Sequence, residues 1–348
     1  MTITTKVSIC LPTYKRPDLL IDCIESCFAQ THKSIEIVIG DDSPDDQTER
    51  MIAERYGNDA RIAYRRNTPA LGQARNVASL FARATGDKIL LIHDDDYLAE
   101  RCIERLLAQW ERYPGIQAAF GNQYEVDHDG SVDHASSEHM NHAYHRTSAA
   151  AGLQALPGRT GIVQMFPNNG WLADAALVKQ ISYDEQHAVC CDYVFGVRLC
   201  LAARGVCYID EHVSYYRKTD VSVSQSTRNT TSASSLAAWS FLQGLTLPPE
   251  LEPARKLAMR RFVPIVVSLY ARNNKAREGL SLALGNLHAY RYGLSARLYY
   301  HLLMIGKGMR RAKGQPTAMA FDADEVGVDA APIAPVAPMV DVTRTRVP

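Results

Sequence analysis

Ile89-Leu90-Leu91-Ile92 is an uninterrupted apolar run, and Asp94-Asp95-Asp96 follows it almost at once. A short apolar stretch of this kind reads as a buried strand. Three adjacent carboxylates repel one another, so they belong in a solvated turn or helix cap, or around a divalent cation that draws their oxygens together. The triplet alone leaves both readings open. Its place at the carboxyl end of a strand favours the cation, because open α/β sheets bind ligands at that edge.

The same pattern recurs along the first third of the chain. Val7 to Leu11 runs into Pro12-Thr13-Tyr14, Ile35 to Ile39 into Gly40-Asp41-Asp42, and Arg61 to Arg66 into Asn67. Apolar residues at helical spacing fill Asp18 to Gln30, Gly72 to Ala84 and Leu98 to Tyr113, Asp45 to Tyr56 reads as a polar helix, and Ile116 to Tyr124 reads as a fifth strand. Strands of continuous apolar character separated by helices predict a mostly parallel α/β sheet covered on both faces. The polar residues that follow each strand then converge on one edge.

Later segments are less regular. From Asp127 to Arg159 the chain is rich in Ser, Ala and His and reads as a polar loop or an acceptor-facing flap; His139, His142 and His145 lack the cysteines or carboxylates that would complete a zinc set. Ala188 to Ala203 is helical, with Asp192 near its start, and Val206 to Ile209 is strand-like. Ala233 to Lys313 reads as helices. Within it Leu287, Tyr290, Leu294, Leu298, Leu302, Ile305 and Met309 form an apolar seam, while Arg291, Arg297, Lys307, Arg310 and Arg311 lie off it. That pattern suits either a helix packed on the domain or a basic amphipathic helix lying on an inner membrane surface over 287–313. Residues 314–348, rich in Ala, Pro and Val, read as a disordered tail. The expected organisation is a domain over 1–228, divided near 124 into an earlier and a later half, then a helical extension over 229–313 and the tail.

Lys plus Arg equals Asp plus Glu at 38 each, so no overall field recruits nucleic acid. Eight cysteines occur without a Cys-x-x-Cys pair, as expected for reduced thiols. Met1 to Lys6 has no apolar core and nowhere do eighteen apolar residues run together, so a cytoplasmic protein without a membrane span is expected. Neither a phosphate-binding Gly-x-x-x-x-Gly-Lys loop, a dinucleotide Gly-x-Gly-x-x-Gly, nor a Gly-x-Ser-x-Gly elbow follows any strand. What remains at the edge is carboxylates, Arg75 and Tyr14. Such groups suit a base, ribose hydroxyls and a cation that neutralises a departing diphosphate.

Four segments carry a resemblance. Val7-Ser8-Ile9-Cys10-Leu11-Pro12-Thr13-Tyr14, Val38-Ile39-Gly40-Asp41-Asp42-Ser43, Gly72-Gln73-Ala74-Arg75-Asn76 and His93-Asp94-Asp95-Asp96 are similar, in order and separation, to glycosyltransferase family 2, over about Val7 to Ser224. The resemblance implies the GT-A fold, a Rossmann-like sheet flanked by helices. It also implies an inverting, metal-dependent transfer from a nucleotide-diphospho-sugar to a glycan or lipid-linked acceptor. It assigns Pro12 and Tyr14 to the base, Asp42 to its ring N–H and Asp41 to support of that loop. Arg75 would meet the base or diphosphate, Asp94 the ribose, and Asp95 with Asp96 and His93 a Mn²⁺ or Mg²⁺ ion. Asp192 would be the catalytic base, Asn169, Gly170 and Trp171 the acceptor side, with Trp171 a stacking platform, and Arg217 a diphosphate contact. His93 stands where the family has an acidic residue, and Cys191 where it has a Glu before the base. A non-catalytic sugar-nucleotide module or, with less support, a nucleotidyltransferase are the alternatives.

Overall fold

The computed structural model describes residues 5–127, 130–181, 183, 189–218, 228–273 and 275–312. The expected tail lies outside them. In chain order the elements are β1 (Val7–Thr13), α1 (Pro17–Phe28), β2 (Ile35–Asp41), α2 (Gln47–Tyr56), β3 (Ile62–Arg66), α3 (Gln73–Arg83), β4 (Lys88–Leu91), β5 (Tyr97–Leu98), α4 (Cys102–Arg112) and β6 (Ala118–Val126). They continue as β7 (Val132–Asp133), α5 (His134–Ala143), β8 (Gly152–Leu153), α6 (Pro157–Ile162), β9 (Trp171–Asp174), α7 (Ala175–Gln180), α8 (Cys191–Ala202) and β10 (Val206–Arg217). The helices α9 (Arg228–Gly244), α10 (Glu252–Arg272), α11 (Ala276–Gly285) and α12 (Ala296–Ala312) complete the described chain.

One sheet runs in the order β3-β2-β1-β4-β9-β6-β10-β5. The first four strands are parallel, with Val7 opposite both Ile35 and Lys88. β6 does not continue that series. β9 is inserted antiparallel between β4 and β6, so the later half of the domain supplies a central strand, and β10 then pairs parallel with β6. The two expected halves therefore share a single sheet.

Alternation along the strands sorts side chains into two cores. Ile9, Leu11, Ile37 and Ile39 face α1, α2 and α4, with Leu20, Ile24, Ile103 and Leu106 across from them. Cys10, Val38, Ile89 and Leu91 face the other way, towards α3, α6 and α8, and this second core continues without a break into Phe241, Phe262, Val263, Tyr290, Leu298 and Ile305 of the helical extension. All eight cysteines are buried free thiols.

Residues 130–159 are more ordered than their sequence suggests. Asp133 caps α5 by accepting the Ser136 N–H, a signal present in the sequence but short. The apolar seam over 287–313 is also not one helix: Arg291, Tyr292 and Gly293 take left-handed backbone angles and break it. Leu294 is consequently 88% exposed, while Tyr290, Leu298 and Ile305 pack inward. No helix among the described residues is long and apolar enough to cross a membrane.

Candidate active site

A cleft of about 780 Å³ opens over the carboxyl ends of the parallel strands. Pro12, Thr13 and Tyr14 line it after β1, Asp42 after β2, Gly72 and Asn76 around the start of α3, and His93 to Asp96 after β4. The facing wall comes from Gln123 and Glu125 of β6, Met140 of α5, Tyr144 and Arg146 just beyond it, residues between 164 and 169, and Asp192 in the first turn of α8.

Asp42 is fixed by one oxygen. Its Oδ1 accepts from Asn67 Nδ2 at 2.8 Å and from the Leu71 N–H at 3.0 Å, while Oδ2 takes no hydrogen bond among the described residues. Asn67 also donates to Asn76 Oδ1 at 3.1 Å, and Asn76 donates to the Gly40 carbonyl at 2.8 Å. A Cβ on Gly40 would lie 2.2 Å from that Asn76 oxygen, so this brace requires glycine. Asp41 sits beneath the cleft rather than in its wall; it accepts from the Ser43 N–H at 2.8 Å and the Tyr64 hydroxyl at 2.7 Å, and so ties the loop to β3.

The acidic triplet is divided among three environments. Asp94 turns back to β1, accepting from Thr13 Oγ1 at 2.8 Å and the Tyr14 N–H at 3.3 Å. Arg16 lies 2.7 Å from Asp95 and 3.4 Å from Asp94. Asp96 accepts from the Arg217 N–H at 2.9 Å and from Asn169 Nδ2 at 2.6 Å. Burial, followed by the Asp95 charge, pushes the Asp94 carboxyl up to about 6 despite Arg16. Burial and Asp95 push Asp96 upward as well. For His93 burial works to lower the pKa, but the charges of Asp192, Asp96, Asp95 and Asp94 outweigh it, and the net shift is upward.

One ligand atom each from His93, Asp95 and Asp96 lie within 4.8 Å of one another. His93 Nδ1 pairs with Asn169 Nδ2 at 3.0 Å, which leaves Nε2 buried without a hydrogen-bond partner. An orphaned imidazole nitrogen beside two carboxylates is a donor set that a small divalent cation fits. The nearest charge to that nitrogen is Asp192 Oδ1, at 3.9 Å. Asp192 in turn accepts a hydrogen bond from the Tyr183 hydroxyl.

The cleft therefore gathers Pro12, Tyr14, Asp42, His93, Asp94, Asp95, Asp96, Asn169 and Asp192. Four residues expected there lie elsewhere. Trp171 cannot be a sugar platform: it is fully buried, packed 5.6 Å from Phe166 and 5.5 Å from Phe195 by ring centroid, because β9 is an interior strand. Gly170 lies behind the wall, where a Cβ would come 2.5 Å from Ser214 Oγ. Arg75 points along α3 to the Leu71 carbonyl at 3.0 Å and does not line the cleft. The Arg217 guanidinium is turned to Asp22 of α1 at 2.9 Å, so this residue meets the site through its backbone N–H instead.

Other participants escaped the sequence reading. Arg16 carried a usable signal, a cation in the loop after β1 facing the acids after the neighbouring β4. Asn76 lay inside a motif already singled out. Tyr183, Gln123 and Arg146 carried none, since only the folded sheet brings them to this edge.

The family model for glycosyl transferase family 2 matches residues 8–168. Chondroitin synthase of Escherichia coli is 28% identical over 127 residues, which make up 36% of this chain and 18% of that protein's length. Among solved structures, S. aureus TarS 1-349 in complex with UDP superposes with a TM-score of 0.55 at 13% identity, covering 91% of this chain and 94% of the other. Mannosyltransferase PcManGT from Pyrobaculum calidifontis, in complex with GDP-Man and Mn²⁺, gives 0.50 at 15% identity over 90% and 87% of the two chains. At these identities the structural likeness establishes a shared GT-A fold.

Proposed function

Residues 8–168 belong to glycosyl transferase family 2, and from that premise we propose that the protein is an inverting transferase of cell-surface polysaccharide synthesis. It moves a sugar from a UDP- or dTDP-sugar to a hydroxyl of a glycan or lipid-linked acceptor. The observation that carries this reading is the meeting of Asp42, Asp95 and Asp192, from three distant stretches of sequence, in one cleft. The UDP bound by TarS and the GDP-Man and Mn²⁺ bound by the mannosyltransferase support a nucleotide-sugar at this edge.

In this reading Pro12 and Tyr14 flank the base, and the open Oδ2 of Asp42 accepts its ring N–H. Asp94 receives ribose hydroxyls. Asp95, Asp96 and His93 hold the cation, with Mn²⁺ favoured over Mg²⁺ by the imidazole. A bound divalent cation draws negative charge from the diphosphate as it leaves. Asp192, steadied by Tyr183, takes the proton from the acceptor hydroxyl as that oxygen attacks the anomeric carbon from the face opposite the diphosphate. Asn169 holds His93 and Asp96 in position from the acceptor side.

Incubation with a panel of UDP- and dTDP-sugars and Mn²⁺ should release the nucleotide slowly, and faster once an acceptor is present, with the release lost in Asp95→Ala. Undiminished release in that variant overturns the cation site. Tight binding of UDP without any donor consumption selects the non-catalytic module, the outcome expected if the His93 and Cys191 departures abolish turnover.

We also read α12 as a peripheral contact with the inner face of a membrane. Tyr299, Tyr300 and Leu303 are exposed on its outer side. No acidic residue occurs from Gly279 to Ala312, while Arg291, Arg297, Lys307, Arg310 and Arg311 do. Aromatic and basic residues together suit an anionic interface. Sedimentation with phosphatidylglycerol vesicles should fall in the Tyr299→Ser/Leu303→Ser double variant; equal recovery of both proteins in the pellet returns this face to ordinary solvent exposure.

A further inference from the structure

Arg146 is 3% exposed, and it forms part of the cleft wall. A guanidinium this deeply buried ordinarily has a carboxylate beside it, because taking a lone charge out of water is costly. Here every partner among the described residues is neutral. Nε donates to the Met165 carbonyl at 2.9 Å, and Nη1 to Gln123 Oε1 at 3.2 Å and Asn141 Oδ1 at 3.3 Å. Nη2 donates to nothing among the described residues, and Arg146 lines the cleft. The Tyr144 ring lies 5.5 Å from the guanidinium carbon on the same wall. Of the two acids of this wall, Glu125 is engaged by Lys218 at 3.2 Å and by the Ser136 hydroxyl, and Asp192 accepts from the Tyr183 hydroxyl. Burial holds the Arg146 pKa down, to about 10, which still leaves the group charged at neutral pH.

Position relative to the reacting groups follows from a run of amides. Gln123, which accepts from Arg146, donates from Nε2 to Asn169 Oδ1 at 3.2 Å, and Asn169 donates to Asp96 and His93. Arg146 thus sits beyond the acidic cluster on the side away from the Asp42 loop.

We propose that Arg146 reads an anionic sugar: it pairs with a carboxylate carried by the transferred sugar or by the acceptor's terminal residue. The inference rests on the transferase reading above. One cation among neutral amides matches one negative charge, and a substrate that brings this charge supplies the partner missing among the described residues. A uronate carboxylate is the fitting chemistry, and its two sources are separable by experiment.

For the donor, calorimetry on the full chain with Mn²⁺ compares UDP-glucuronate with UDP-glucose, which differ only in carboxylate against hydroxymethyl. For the acceptor, KM is compared between a uronate-terminated oligosaccharide and its carboxyl-reduced form. Wild type should prefer the charged member of one pair by roughly tenfold, and Arg146→Met should bring that ratio to about one. Arg146→Lys, which keeps the charge, should retain part of the preference and guards against a folding defect in the first variant. Ratios near one in wild type for both pairs overturn the subsite. So does an Arg146→Met protein that weakens charged and neutral members equally, since that marks a structural clamp or a diphosphate contact. Wild type that binds no nucleotide sugar defeats the transferase reading and the subsite together, whereas binding without preference defeats the subsite alone.

Discussion

Along the cleft wall made by β1, β2 and β4, unlike charges meet at short range, with Arg16 2.7 Å from Asp95. Across the cleft, the one buried arginine among the described residues is answered only by carbonyl and amide oxygens. The first wall carries more negative charge than its single arginine offsets, as the raised Asp94 and Asp96 carboxyls record. Such a surplus suits an arriving cation. The second wall also holds acids, but Glu125 pairs with Lys218 and Asp192 accepts from Tyr183, which leaves the buried Arg146 as the charge an arriving anion would answer. Both store an electrostatic deficit that a ligand removes, which is how a preorganised site differs from a maximally stable one.

The sharpest way to separate the walls is to remove one acid from each. Asp95→Ala should abolish both transfer and the rise in melting temperature that Mn²⁺ gives the wild type, because a ligand that binds only the folded state stabilises it. Asp192→Asn should keep the Mn²⁺-dependent rise while turnover drops about 10²- to 10⁴-fold, the usual weight of a general base. Thermal shift and product formation on the same samples decide the matter. Loss of the Mn²⁺ response in Asp192→Asn would mean that both acids serve the cation, and the contrast between the walls would fail.

The two walls also differ in how far the sequence disclosed them. Asp42, Asp94, Asp95 and Asp96 follow strands whose apolar runs are plain, and a parallel sheet must bring such loops to one edge. Trp171 and Arg146 show the opposite case. Asn169-Gly170-Trp171 looked like an acceptor loop, but it leads into an antiparallel strand inserted between β4 and β6, so its indole went into the core. That insertion is a long-range pairing with no local signature. Arg146 lies in a Ser-, Ala- and His-rich stretch where nothing in the spacing distinguishes a buried arginine from a solvated one. The helical extension was legible as helices, while its break at Arg291 and Tyr292 was not, since neither residue favours left-handed backbone.

The facing wall leans on that extension, and pH should loosen it. His301 of α12 is 2% exposed and bonded to Ser268 at 2.9 Å and Tyr290 at 2.8 Å. Burial, with the Arg297 and Arg272 charges, holds its pKa down to about 4 from 6.5. The neutral ring's contribution is therefore complete above 6.5 and is lost as pH falls towards 4, at a cost of about 2–3 kcal/mol. Urea unfolding of wild type and His301→Gln at pH 7.5 and 5 should show a smaller acid-induced loss in the variant. Parallel losses in the two proteins would absolve this histidine.

On the carboxylate wall the matching structural test is Gly40→Ala. The added methyl collides with Asn76 Oδ1, so the Asn67–Asn76 brace under Asp42 must shift. Stability should fall by about 1–3 kcal/mol, and nucleotide affinity should fall with it while the Mn²⁺ response persists, because the acids after β4 do not hang on that brace. An unaltered nucleotide affinity would show that Asp42 holds its place without Asn76.

The gentlest perturbation asks whether the extension touches chemistry at all. Arg261 of α10 donates to the Tyr144 hydroxyl at 2.8 Å and lies 4.5 Å from that ring's centroid, and Tyr144 lines the cleft beside Arg146. The pair is exposed, so Arg261→Ala should lower stability by no more than about 1 kcal/mol. Freed of its anchor, Tyr144 can move in front of Arg146, so the expected effect is a two- to threefold rise, roughly the factor equivalent to 0.5 kcal/mol, in acceptor KM with kcat and donor KM unaltered. A change in donor KM instead would place Tyr144, and the arginine beside it, on the nucleotide-sugar side of the cleft and narrow the choice of which substrate carries the anion.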